Sequence, residues 1–162
     1  MKSIQPARKN RKTIWIILLI LLLMILIGLG GFLLSDRADK KLAGHKQRGS
    51  EYLLKDNYLK AKEEFQKAIK LNPENLVLYF QLAESLIGLK EYDNAASYLE
   101  QAIEIAEEGS LDILQYESLV IKLAQCYEIT GEDQKRVELL EHSLEITGSE
   151  RIKELLEYKR GI

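Results

Sequence analysis

Residues 34 positions apart match each other across much of this chain, and that spacing restricts the fold more than any other feature. Gly49, Tyr52, Tyr58, Ala61, Phe65, Ala68 and Pro73 are followed 34 positions later by Ala83, Leu86, Tyr92, Ala95, Leu99, Ala102 and Glu107. Small stays small and bulky stays bulky; only the proline is lost. A period of roughly 20–50 residues marks stacked supersecondary units, each too small to bury its apolar face alone. Two copies fall at 42–75 and 76–109, and a more divergent third at 117–150, with Leu123, Ala124, Tyr127, Gly131, Leu140, Ser143 and Ile146 at matching places. In that copy Arg136 stands where an alanine is expected, and Gly148 replaces the proline.

Each copy reads as two antiparallel helices. The only prolines are Pro6 and Pro73, so helix is permitted nearly throughout. A small residue in each first helix (Gly49, Ala83, Ala124) lets the second approach closely. Ala61 and Ala68, then Ala95 and Ala102, do the same from the other side, while Phe65 and Leu99 fill the remaining volume. The turns, Lys55-Asp56-Asn57, Leu89-Lys90-Glu91 and Thr130-Gly131-Glu132, are short enough to force antiparallel pairs, with Gly131 as a helix C-cap. Between the second and third copies lies an insertion, 110–116. Ser110 is the expected N-cap there, with the next helix starting near Leu111 and carrying Leu111, Leu114 and Leu119. After the third copy, Ser149 is expected to cap a last helix, about 150–160, whose Ile152, Leu155 and Leu156 cover the open end of the stack.

The segment GSEYLLKDNYLKAKEEFQKAIKLNPEN (49–75), with the 34-residue period, resembles the tetratricopeptide repeat. The resemblance implies an all-α solenoid of about three helix-turn-helix repeats plus a C-terminal capping helix. It also implies a binding protein: first helices of successive repeats line a concave groove that holds a peptide or protein partner. Projected onto this chain, the groove presents Lys46, Ser50, Leu53, Phe80, Gln81, Glu84, Ile87, Ile121, Lys122 and Gln125. Phe80, Ile87 and Ile121 are its apolar anchors, worth roughly 2 kcal/mol each if a partner covers them. Internal filling of the groove by the inserted turn or the last helix is the alternative. Some family members hold a C-terminal carboxylate in a Lys/Asn clamp. The corresponding residues here are Lys46, Ser50, Gln81, Ser118 and Lys122, so both asparagines are lost and Ser118 replaces a base.

Ahead of the repeats, 14–34 carries no charged residue. Its 21 positions make a helix of roughly 31 Å, the thickness of a bilayer's hydrocarbon core. Trp15 lies at the boundary where an amphipathic ring suits the interface. A cleavable signal peptide has a shorter apolar region, about 7–15 residues, ending at a small-x-small site. Here the one such pair, Gly28 and Gly30, is followed by Phe32, Leu33 and Leu34. The expectation is an uncleaved single-pass signal anchor, 14–34, between a basic tail (1–13) and a juxtamembrane linker (35–41). Both flanks are basic: Lys2, Arg8, Lys9, Arg11 and Lys12 on one side, Arg37, Lys40, Lys41, Lys46 and Arg48 on the other. A short basic N-terminus before a lone span stays in the cytoplasm as a rule, which places the repeat domain outside it, in a bacterial cell envelope by analogy of layout. The glycines of the span lack GxxxG spacing.

The repeats are electrically polar. From 42 to 72 there are seven basic and four acidic residues, a net of +3; from 73 to 146 there are four basic and sixteen acidic, a net of −12. The acidic part repels phosphate, which argues against nucleic acid. The polarity suits anionic head groups at the basic part and a basic partner at the acidic part, with plain solubilising charge as the alternative. No catalytic, metal or cofactor constellation emerges. His45 and His142 lie in different copies and read as solvated, Cys126 as a buried inert thiol, and Glu63, Glu64, Glu107 and Glu108 as an exposed helix face. The sequence therefore points to a membrane-tethered scaffold or adaptor that is no enzyme. The alternatives are a self-associating (homo-oligomeric) subunit of a membrane complex and a holdase-like assembly factor for translocated or membrane proteins.

Overall fold

The computed structural model describes residues 11–109 and 112–160, with side chains for 15–26, 37–109 and 112–157. Seven helices follow one another among the described residues: α1 (Arg11–Leu53), α2 (Tyr58–Leu71), α3 (Leu76–Gly88), α4 (Tyr92–Glu108), α5 (Ile113–Thr130), α6 (Asp133–Thr147) and α7 (Glu150–Arg160). The chain divides into two units, 1–40 and 41–162.

In the first unit the described side chains from Trp15 to Leu26 are all exposed, Trp15 at 71%. They are twelve consecutive large apolar residues. No helix among the described residues is long and apolar enough to cross a membrane. The expected span, 14–34, lies partly outside them, since the side chains of 14 and 27–34, including the three glycines, are not described. The segment expected as a linker, 35–41, is helical as part of α1; it holds neither proline nor glycine to stop the helix.

The second unit is a stack in which each helix from α2 onward packs on the next. The end of α1 (41–53), α3 and α5 are first helices; α2, α4 and α6 return beside them. The core is Ala61, Phe65 and Ala68, then Leu78, Leu82, Ala83 and Leu86, then Ala95, Leu99 and Ala102, continuing through Leu119, Leu123 and Leu140 to Ile152 and Leu156. The small residues act as expected. A Cβ on Gly49 sits 2.7 Å from Phe65 Cε1, so the ring occupies the space a side chain needs. Asn57 and Asn75 cap α2 and α3 through Oδ1, at 3.4 Å from Lys60 N and 3.2 Å from Val77 N. Gly131 ends α5 in the left-handed region (φ 80°), its N–H donating to Tyr127 O. Asp56 and Lys90 hold positive φ at equivalent turns, 53° and 62°, a conformation that Asp adopts more readily than Lys.

Two local expectations change, the cap and the start of α5. Asp112, not Ser110, is the N-cap of α5, its Oδ1 accepting from Leu114 N and Gln115 N at 3.0 and 3.2 Å. That carboxylate satisfies two orphan amides at once. The helix accordingly starts at Ile113, while 110–111 lie outside the described residues. At α7, Ser149 contributes its carbonyl to Lys153 N (3.1 Å), and its own N–H donates to Thr147 Oγ1 (3.2 Å). The inserted turn is anchored by Tyr116, fully buried, whose hydroxyl donates to Glu107 Oε1 at 2.7 Å and lies 3.4 Å from Ser143 Oγ.

Glu64 is buried at 8% exposure rather than exposed, unlike its neighbour Glu63. Its carboxylate accepts from Arg48 Nε and Lys67 Nζ at 2.7 Å, and His45 Nδ1 lies 2.8 Å away. His45 is thus paired and half-buried rather than solvated. Burial pushes the Glu64 carboxyl up, but bonds from Lys67, His45 and Arg48 outweigh it and hold the group at about 2. His142 stays exposed, 3.4 Å from Glu107. Cys126 is buried as expected, and burial pushes its thiol up, which leaves it unreactive.

Two substitutions test this packing. A Cβ on Gly88 comes within 2.4 Å of Tyr58 Cδ1, at the base of a ring that is tied to Asp56 by its hydroxyl. Gly88→Ala is expected to destabilise the domain by about 2 kcal/mol, the overpacking exceeding the helix-propensity gain of at most ~1 kcal/mol; a thermal melt in detergent shows it. Arg136 is buried at 3% exposure, with Nε and Nη1 unbonded and only Nη2 near Glu128, at 3.6 Å. Arg136→Met keeps the volume and removes a poorly paired charge. It is expected to raise stability by about 1–2 kcal/mol in urea unfolding.

Candidate groove on the first helices

The first helices present one face away from the second helices. On α1, Lys46, Ser50 and Leu53 are half-buried; on α3 so are Phe80, Gln81, Glu84 and Ile87; on α5, Ile121 and Lys122 are half-buried and Gln125 is exposed. None of the ten is in the core, because their helices turn Gly49, Leu82, Ala83, Leu86, Leu123 and Ala124 inward. The 3.6-residue period then puts the intervening positions on the open face.

Two concavities occupy this face. The first, about 540 Å³, is lined by Ser50, Leu53, Gln81, Glu84, Ile87 and Lys122, together with Leu54, Asp56, Tyr58 and Gly88. Gln81 Nε2 donates to Ser50 Oγ at 3.3 Å across α3 and α1, and Lys122 Nζ stands 3.9 Å from Glu84 Oε1 across α5 and α3. Gln81 Oε1 is buried without a hydrogen-bond partner. The second, about 560 Å³, takes Phe80 and Ser118 with Leu76, Val77, Leu114, Gln115, Leu119 and Asp112. Lys46, Ile121 and Gln125 line neither. The five positions of the family's carboxylate clamp are therefore split: Ser50, Gln81 and Lys122 share one concavity, Ser118 faces the other, and Lys46 is apart. Lys122 is already matched by Glu84, and Ser118 Oγ donates to Leu114 O at 2.8 Å.

The groove is not filled from within by α7, whose packing partner is α6. The inserted turn borders it through Leu114 and Asp112 but leaves Phe80 half-exposed. Leu76, Val77 and Leu114 are wall residues that the repeat period alone did not single out. Val77 sits three positions before Phe80 and Leu114 four before Ser118, which is the helical spacing that could have found them. Among the described residues no group of His, Cys, Asp and Glu could hold a metal ion.

Residues 52–123 match the family model of the tetratricopeptide repeat. Over 94 residues, 57% of this chain, the sequence is 37% identical to the Hsp70-Hsp90 organising protein of Plasmodium falciparum; the match spans 17% of that protein's length. The fold is similar to the N-terminal domain of stress-induced protein-1 from C. elegans, with a TM-score of 0.67, 19% identity, and coverage of 75% of this chain and 94% of that one. It is similar also to the second such domain of human RPAP3, solved in complex with the HSP70 peptide SGPTIEEVD, with a TM-score of 0.61, 17% identity, and coverage of 75% and 96%. The second unit thus has an all-α tetratricopeptide-repeat fold.

Proposed function

We propose, from the premise of a tetratricopeptide-repeat fold with an open first-helix groove, that this chain is a membrane-tethered adaptor. The groove holds a segment of a partner protein, and the N-terminal apolar helix keeps that partner at the bilayer. The observation that carries the reading is the accessibility of the groove: the Phe80, Ile87 and Leu53 side chains are half-exposed along it. Relatives of this fold solved with peptides support it by likeness.

The tether rests on the uncharged run 14–34 and on the exposure of Trp15–Leu26. In this reading the basic tail lies in the cytoplasm and the repeat domain outside it. Resistance of the full-length chain to alkaline carbonate extraction supports the tether; release into the supernatant removes it from the proposal. For the groove, affinity isolation of the full-length chain from its native membrane is expected to bring down one stoichiometric partner. Phe80→Asp is expected to reduce that yield more than tenfold, since a buried unpaired charge replaces an anchor worth roughly 2 kcal/mol. Unchanged recovery with Phe80→Asp eliminates the groove as the binding face.

A further inference from the structure

The end of the groove beside the α4–α5 connection has a chemistry of its own. Leu76, Val77, Phe80, Leu114 and Leu119 make its concavity apolar. Leu76 also lines an adjoining one of about 430 Å³, with Ile105 and Ala106. Among the described residues, the charged side chains lining the two are Asp112, Glu74 and Glu108, with no Lys, Arg or His beside them. All three carboxylates are exposed, and Asp112 is engaged only with the α5 amides. The other concavity differs, since there Lys122 faces Glu84. Leu114 is 76% exposed and Val77 40%, so apolar surface lies open within an acidic rim. The inserted turn creates this arrangement: it extends α5 ahead of its repeat, adding Leu114 as a wall and Asp112 as a rim charge.

We propose that this slot docks a basic, apolar segment of the partner protein. One bulky aliphatic or aromatic side chain enters between Val77, Phe80 and Leu114, and flanking Lys or Arg side chains reach Asp112 on one side and Glu74 and Glu108 on the other. The inference deepens the adaptor reading and rests on it. It follows from charge complementarity: an acidic segment meets three like charges here with no compensating base, whereas a cationic one gains attraction at each and buries the open apolar wall.

The test uses the full-length chain in zwitterionic nanodiscs and a fluorescent peptide of two leucines flanked on each side by two arginines. A control peptide has glutamate at every arginine. The arginine peptide is expected to bind at least about tenfold more tightly than the control, with an affinity that falls as salt rises. The double variant Glu74→Gln/Glu108→Gln is expected to weaken it several-fold and flatten the salt dependence. Leu114→Ser, at an exposed position that leaves the helical circular dichroism intact, is expected to weaken it as well. Equal binding of the two peptides, or no effect of Leu114→Ser, overturns the inference. So does a concentration-dependent self-association that the arginine peptide fails to displace, which assigns the slot to a second copy of this chain. If the peptide fails while the native partner still depends on Phe80, the adaptor reading survives without this specificity; if both fail, both fall.

Discussion

Phe65→Ala is expected to destabilise the repeat domain by about 3–5 kcal/mol, the largest effect of any single substitution considered for this chain. Phe65 is fully buried, and its ring edge fills the place of the missing Gly49 side chain. Truncation therefore loses both the transfer of a ring from water and its contacts there. The same geometry makes a coupled prediction. Gly49→Ala alone is destabilising, because its Cβ meets the ring at 2.7 Å, but in the Phe65→Ala background it becomes neutral or mildly favourable, as alanine's helix propensity is then unopposed. Thermal unfolding of the four proteins of the cycle checks this. Additive effects at the two sites contradict the packing described.

The second large effect concerns Glu64. Its carboxylate sits at 8% exposure among Arg48, Lys67 and His45 and ties the end of α1 to α2. Glu64→Gln keeps the volume but removes the charge that all three partners address, and it is expected to cost about 3 kcal/mol at neutral pH. Its pH dependence has a definite sign. The folded carboxyl titrates at about 2, against an ordinary value of 4.5. The native state therefore holds this group ionised where the unfolded chain binds a proton, and the stabilisation is complete above about pH 4.5 and disappears as the pH falls toward 2. The gap in melting temperature between the natural chain and Glu64→Gln is expected to be widest near neutrality and to narrow across that acid window. A gap that stays constant down to pH 2 shows that the cluster does not act through the Glu64 charge.

The helix pairs were legible because the repeat encodes them twice, in hydrophobic spacing and in the small residues at each crossing. Gly49, Ala61, Ala68, Ala83, Ala95 and Ala102 mark close approaches, and a close approach tolerates few residue types. Glu64 was not legible for the opposite reason. A carboxylate on a helix reads as solvated until its partners are known, and two of the three, Arg48 and His45, lie 16 and 19 residues away on another helix. Arg136 differs, since the repeat register already placed it at the inward position of Ala61 and Ala95, and only its lack of partners was hidden. The contact of Gly88 with Tyr58 joins neighbouring repeats rather than the halves of one, so a pattern read within a copy misses it. The groove face followed from helical period alone, but its division into two concavities did not. The extended start of α5, capped by Asp112, brings Leu114 beside Phe80, and that juxtaposition depends on how far the inserted turn displaces the third repeat.

The most direct test of the central claim, that the first-helix groove holds a partner protein, is photocrosslinking of the chain in cells with a photoreactive residue at Phe80. A matched probe goes at Glu138, an exposed site on a second helix. The account predicts one dominant heterologous product from Phe80 that is absent from Glu138. A ladder of multiples of the chain's own mass, or the same products from both positions, contradicts it.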